Sequence, residues 1–144
     1  IRGLFRETIL SVNIRDYTVE QAECWASKSD DETVWKERIH SQYFIVAEIK
    51  GVITGFAALK PDGYLNSMFV HKDYQNVGVA TALLKDIENH AVQNGMYEIT
   101  ADVSITAKPF FEGKGYEVLQ RQTVSIGVEM VNYKMRKGLL HRNF

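Results

Sequence analysis

The hexapeptide Gln75-Asn76-Val77-Gly78-Val79-Ala80 carries the clearest chemical meaning in the chain, and it lies where the hydrophobic period changes. Upstream, Tyr64, Asn66, Met68 and Val70 alternate with Leu65, Ser67 and Phe69, the period of a largely buried strand. Downstream, Ala80, Leu83, Leu84, Ile87 and Ala91 form one helical stripe, with Lys85, Glu88 and Asn89 opposite. A strand that feeds a helix through small residues aims several backbone N–H groups, and the positive end of the helix dipole, at one point. That point is an anion site. Gly78 and Ala80 project no side chain that would hold a diphosphate away from the backbone. The alternative is that Gly78 only relaxes a strand-to-helix turn.

Other chemistries fit less well. Walker A ends in Gly-Lys-Ser/Thr and the dinucleotide fingerprint needs three glycines, whereas this loop has Gly78-Val79-Ala80. Cys24 is the only cysteine, which excludes an internal disulfide, suits a reducing compartment and reads as a packed thiol in an apolar helical context. His40, His71, His90 and His141 lack ligand spacing, so no metal is expected. With 17 basic and 18 acidic residues there is no electrostatic footprint for nucleic acid or an anionic membrane. No apolar run approaches the ~18 residues of a membrane span, and there is no signal peptide, so a cytoplasmic location is expected. The 144 residues, 45% of them hydrophobic, suffice for one core and predict a single domain over residues 1–144.

The elements that must position the loop follow from local patterns. Leu4, Phe5, Ile9, Leu10 and Val12 read as the apolar side of a helix. Asp16 or Thr18 caps a second, and Asp30 and Asp31 open a third over Thr33 to His40. These last two carry Trp25 and Trp35, which either anchor them to a sheet or line a pocket. Tyr43–Ile49 and Val52–Leu59 flank Lys50-Gly51, a hairpin signal, and Pro61-Asp62-Gly63 turns the chain into the Tyr64 strand. After the long helix, Asn94-Gly95 is a stop. Met96 to Val103 is a strand with Tyr97, Ile99, Ala101 and Val103 on one side. Strand, helix, strand is a crossover that sets the Tyr64 and Met96 strands parallel, and open sheets bind ligands at the carboxyl ends of such a pair. A short helix from Thr106 follows, then a closing antiparallel pair, Tyr116 to Ile126 and Asn132 to Arg136.

The hexapeptide fits Q/R-x-x-G-x-G/A. The segment from Ala107 to Tyr116, AKPFFEGKGY, fits A-x-x-[LF]-[YF]-E-x-x-G-[FY]. In this order, with one helix and one strand between them, the two segments resemble the GNAT superfamily of acyl-CoA-dependent N-acyltransferases. The resemblance covers Leu4 to Lys137. It implies an α/β (α+β) fold: a mixed, mostly antiparallel central sheet with a parallel central strand pair and flanking helices. The family's first strand precedes the first helix here, so it is expected to be missing from this chain.

The resemblance also implies a reaction, the transfer of an acetyl group from acetyl-CoA to a primary amine of a small molecule or peptide. Gln75, Asn76, Val77, Gly78, Val79, Ala80 and Thr81 would hold the diphosphate. The pantetheine would lie along Met68, Phe69 and Val70, with the carbonyl oxygen at a backbone N–H near Met68, and Phe110 and Phe111 would add contacts. Ser104 stands where many members have an asparagine that touches the pantetheine arm. Phe111 stands where the usual general acid is a tyrosine and cannot donate a proton; Tyr116 is the nearest hydroxyl, at a packing position. Asp102, Asn66 and Tyr64, on the two strands that border the crevice, are the candidates for taking the amine's proton, Asn66 only by orienting a water. Asp102 has a second reading as the cap of the Ser104–Ala107 turn. Trp25, Tyr133 and Glu129 are candidates for contacting the acceptor. A homodimer through the closing strands is a further implication. The alternative function is a non-catalytic CoA or acyl-CoA sensor, suggested by Phe111. An aminoglycoside-modifying enzyme lacks support because no strongly acidic acceptor region is present.

Overall fold

A computed structural model of the chain describes residues 1, 3, 4, 6, 9, 16–30, 32–126 and 128–139. Gly3, Leu4, Arg6 and Ile9 have helical backbone, while Phe5, Leu10, Val12 and Asp31 lie outside the described residues. Helix α1 (Val19–Ala26) starts at Thr18, whose Oγ1 accepts from the Gln21 N–H while the Gln21 side chain accepts from the Thr18 N–H. Asp16 therefore does not cap it. Its carboxylate accepts from Thr106 Oγ1 instead, at 2.7 Å. A short 3-10 turn, Ser27–Asp30, leads into α2 (Glu32–Ser41).

Strands β1 (Tyr43–Ile49) and β2 (Val52–Leu59) form the expected hairpin, with Lys50 at φ 51° and Gly51 at φ 80° in the turn. Then come β3 (Tyr64–Val70), α3 (Val79–Gln93), β4 (Glu98–Ser104), α4 (Lys108–Gly113), β5 (Glu117–Ser125) and β6 (Glu129–Gly138). Most boundaries differ from expectation by one or two residues, and two of the differences matter for the site. Tyr97 precedes β4 and is 77% exposed, and β6 begins at Glu129 rather than Asn132, so Glu129 and Met130 are strand residues. Met130 is buried, and its pairing with Val124 extends the ladder beyond what local pattern suggested.

Among the described residues, six strands form one sheet in the order β1-β2-β3-β4-β6-β5, in which only β3 and β4 are parallel. One face carries α3 and α4 over a core that includes Leu59, Leu65, Leu84, Ile87, Ile99 and Met135. The other carries α1 and α2, where Ala22, Ala26 and Trp35 meet Phe56, with Phe44 and Phe69 stacked on the Phe56 ring. Trp35 is 3% exposed and edge-on to Phe56, so it anchors α2 to the sheet.

The central feature is a break in the parallel pair. The β3–β4 ladder contains only Tyr64↔Thr100 and Leu65↔Ala101, although the strands run on to Val70 and Ser104. Its physical cause lies on the other side of β3. There Leu65 pairs with Leu59 and Ser67 with Ala58, which leaves Asn66 as an extra residue, a β-bulge. A bulge bends its strand and increases the local twist, which turns β3 away from β4 just above Leu65. The strict alternation expected along β3 therefore ends at Asn66. A cleft opens toward the start of α3.

Candidate functional site

Above β3, the chain makes a 3-10 turn (Lys72–Tyr74) and enters the loop. Gln75 folds back: its Nε2 donates to the Val70 carbonyl at 2.7 Å and reaches the His71 carbonyl at 3.4 Å. Asn76 then takes a left-handed conformation (φ 60°), and so does Gly78 (φ 88°, ψ 3°), the residue that caps α3. No side chain caps the helix at Gly78, so the loop presents main-chain donors rather than a side-chain acceptor to an incoming anion. A Cβ built on Gly78 would meet nothing within 4 Å among the described residues. Val77 is exposed and Val79 is buried, so of these neighbours only Val79 secures the loop to the core.

That anchoring depends on Gly55, inside the Val52–Leu59 strand β2. A Cβ there would stand 2.9 Å from the Phe69 carbonyl oxygen and 3.0 Å from side-chain atoms of both Val79 and Leu83. The missing side chain lets the first turns of α3 press onto the sheet. A glycine inside a strand pattern was the available signal.

On the α2 side of the sheet, Tyr64 Oη donates to Asp102 Oδ2 at 2.7 Å and Gln122 Nε2 donates to Asp102 Oδ1 at 2.5 Å. Asp102 thus does not cap the turn after β4; Ser104 does, its Oγ accepting from the Ala107 N–H. Asn66 Nδ2 donates to Gln42 Oε1 at 3.3 Å, just beyond α2. The structure therefore brings Tyr64, Asp102 and Asn66 to one face and adds Gln122, which no local motif marks. Burial, followed by the hydrogen bond and charge of Asp102, raises the Tyr64 phenol well above its ordinary pKa.

The remaining candidates divide. Trp25 is half-buried, edge-on to Tyr17 and tilted against Phe69. Glu129 is exposed, and its carbonyl accepts from Gln21 Nε2. Tyr133 lies on the opposite face from Asp102, packed beside the α3–α4 core with Lys108 over its ring. Phe111 is 4% exposed and edge-on to both Phe110 and Tyr116, a core side chain. Cys24 Sγ donates to the Ile126 carbonyl. Among the described residues the Asn132 Oδ1 atom is buried without a hydrogen-bond partner, on the strand facing Ser104. A depression of about 480 Å³ lies beside Tyr43, Asp86 and His90, but no loop residue lines it. Among the described residues no group of His, Cys, Asp or Glu could hold a metal, and no helix is long and apolar enough to cross a membrane.

Tyr116 Oη donates to Glu88 Oε2 at 2.9 Å, and Lys137 Nζ reaches the same carboxylate at 3.1 Å. Burial, then the charge of Glu88 and its hydrogen bond, raise the Tyr116 pKa. With Tyr116 and Tyr64 both raised, stability is expected to be level through these groups below pH ~10 and to fall above it. There the unfolded chain gives up protons that the folded chain keeps. Denaturation midpoints measured between about pH 9 and 11 should fall less steeply in Tyr116→Phe than in the wild type. Equal slopes would mean that the buried phenol does not couple to folding.

Comparison with known proteins agrees with this geometry. A family model described as an acetyltransferase (GNAT) domain matches residues 13–137. The Escherichia coli (strain K12) protein YafP, described as an uncharacterized N-acetyltransferase, is 34% identical over 135 residues, which is 93% of this chain and 85% of that protein. A solved GCN5-related N-acetyltransferase from Rhodopseudomonas palustris is 37% identical with a TM-score of 0.93, over 96% of this chain and 87% of that one. The PaiA N-acetyltransferase from Thermoplasma acidophilum, solved in complex with coenzyme A, shares the fold at 20% identity and a TM-score of 0.76, over 95% and 89% of the two chains.

Proposed function

Because the chain belongs to the GNAT acetyltransferase family and is an acyltransferase, we propose that it transfers the acetyl group of acetyl-CoA directly to a primary amine of a small molecule or peptide, both substrates being bound together. The observation that carries this reading is the left-handed Gly78 cap, open on its outer side, at the mouth of the cleft where β3 leaves β4. That geometry suits a diphosphate held by main-chain groups from Gln75 to Thr81, with the pantetheine beside Met68, Phe69 and Val70. The PaiA structure contains coenzyme A, and the shared fold supports the same ligand here. Ser104 is committed to its turn, so the buried Asn132 Oδ1 is the better placed of the two to receive an N–H from a ligand.

The chemistry makes three demands. The carbonyl oxygen requires a donor, which the main chain near Met68 supplies. The leaving thiolate requires little help, since a thiol pKa of about 8.5 to 10, by analogy with cysteine, makes the anion a tolerable leaving group. This suits a protein in which Phe111 has no hydroxyl and the Tyr116 hydroxyl is bound to Glu88. The amine must lose a proton, and Tyr64, Asp102 and Asn66 are the groups at hand. Trp25 and Glu129 stand near the upper rim, where they suit contact with the acceptor. Tyr133, on the other face, suits the cofactor side better. We read residues 1–144 as one catalytic domain, working in the cytoplasm where acetyl-CoA is made, with the exposed Val118 and Leu119 of edge strand β5 as the surface for a homodimer.

A CoA sensor is the second reading, favoured only by the missing hydroxyl at Phe111. Thiol release from acetyl-CoA, measured with and without a pooled panel of amines and basic peptides, is expected to depend on the acceptor. A clear thermal shift with CoA but no release with any acceptor would favour the sensor. No shift with either ligand would remove the role of the Gly78 loop.

A further inference from the structure

We propose that Tyr64 and Asp102 act as one proton path for the acceptor amine, and that Gln122 is the positioning residue that holds the path in line; this rests on the acetyl-transfer reading above. Three strands contribute. Tyr64 Oη, from β3, donates to Asp102 Oδ2 on β4, and Gln122, from β5, reaches across β6 to donate to Asp102 Oδ1. Both carboxylate oxygens are thereby engaged, and Gln122 fixes the rotation that turns Oδ2 to the phenol. Asp102 then has no need to meet the substrate itself. The phenol oxygen, its own proton given to Asp102, keeps its lone pairs for another donor.

The location suits that donor. Tyr64 pairs with Thr100, yet its ring reaches Asp102, two residues further along β4. The oxygen therefore stands level with residue 66, where the bulge opens the cleft, and about 7 Å, one two-residue strand repeat, below Met68. The charged groups around the pair are Arg38 from α2, Lys60 and Asp62 from the turn before β3, and Lys134, the β6 residue opposite Asp102. Arg136 is held by Glu98 and Glu117.

A phenol raised by burial remains protonated near neutrality, so Tyr64 cannot be the final base. It can pass a proton on. An N–H bond of the acceptor ammonium breaks and leaves its electron pair on nitrogen as the nucleophile, while that proton forms a new bond to Tyr64 Oη. The original Oη–H bond breaks at the same time, and its proton goes to Asp102 Oδ2. One positive and one negative charge become two neutral groups, and the carboxylic acid returns its proton to solvent after the product leaves.

The test compares kcat/KM across pH for the wild type, Tyr64→Phe, Asp102→Asn, their double variant and Gln122→Ala, with CoA thermal shifts on each. Tyr64→Phe and Asp102→Asn are each expected to lower kcat/KM ~100-fold or more near neutral pH. The double variant is expected to fall no further than the worse single one, as residues that act as a unit do. Gln122→Ala is expected to lower kcat about tenfold with the acetyl-CoA KM unchanged. All deficits should shrink as pH approaches the amine's own pKa near ~10, where no base is required; a merely structural defect would not follow pH in this way. Additive singles, a deficit independent of pH, or Tyr64→Phe within about twofold of wild type would overturn the path while leaving acetyl transfer standing. A wild-type protein that binds CoA and acetylates no amine would overturn both.

Discussion

Gly78→Ala is expected to cost the free protein about 1–2 kcal/mol and to weaken CoA binding at least ~tenfold, the larger effect falling on the ligand. The two parts have separate causes. At φ 88° an L-residue is strained wherever its side chain points, which sets the stability cost. Sterically, however, the added methyl meets nothing within 4 Å in the free chain. Any loss of affinity beyond the strain reports a ligand that approaches the Gly78 backbone more closely than a methyl allows. Calorimetric titration with CoA beside chemical denaturation separates the two. Unchanged affinity would show that the diphosphate lies elsewhere.

Gly55→Val is expected to give the opposite pattern, a stability loss of about 1–3 kcal/mol or more, with CoA affinity falling only as a consequence of a displaced helix. The nearest obstacle to a Cβ is the Phe69 carbonyl oxygen, a backbone atom that cannot rotate away, and the next two are Val79 and Leu83 at the start of α3. Relief requires lifting the helix, which moves the donors at its N-terminus. Denaturation midpoints and CoA titration on the same protein check this. A Gly55→Val protein of wild-type stability would show that α3 adjusts without strain.

How much of this was legible in the sequence depended on the range of the interaction. The switch from period two to helical spacing at Gln75–Ala80, the Lys50-Gly51 turn and the Thr18 cap are local, and residue types report them directly. The two segments that resemble the GNAT family gave the order of elements. Pairings between distant segments left no such trace. Nothing near Glu129 indicates that it opens a strand, because its partner Ser125 lies across a turn and the strand's other neighbour, β4, is supplied by long-range packing. Nothing in the sequence around Gln122 marks it, since its partner is 20 positions away. Gly55 was visible as a glycine in a strand, but the helix that needs its small size arrives more than 20 residues later. Asp102 is visible in the sequence as a candidate base or turn cap, yet only the fold shows what its two oxygens hold.

The bulge at Asn66 also makes β3 unusually sensitive to a change in length. Because one extra residue is inserted, Tyr64 shares a face with Phe69, and Leu65 with Met68 and Val70, groupings that simple odd-even counting would never produce. Removing a single residue here would restore unbroken alternation and rotate half of the strand by one position. Either Leu65 would leave the α3 core and the Tyr64 ring would point away from Asp102, or Phe69 and Val70 would exchange sides beneath the loop. Substitution at Asn66 is thus the mild perturbation and deletion the severe one, so the chain length between Gly63 and His71 is as much a part of the site as any side chain in it.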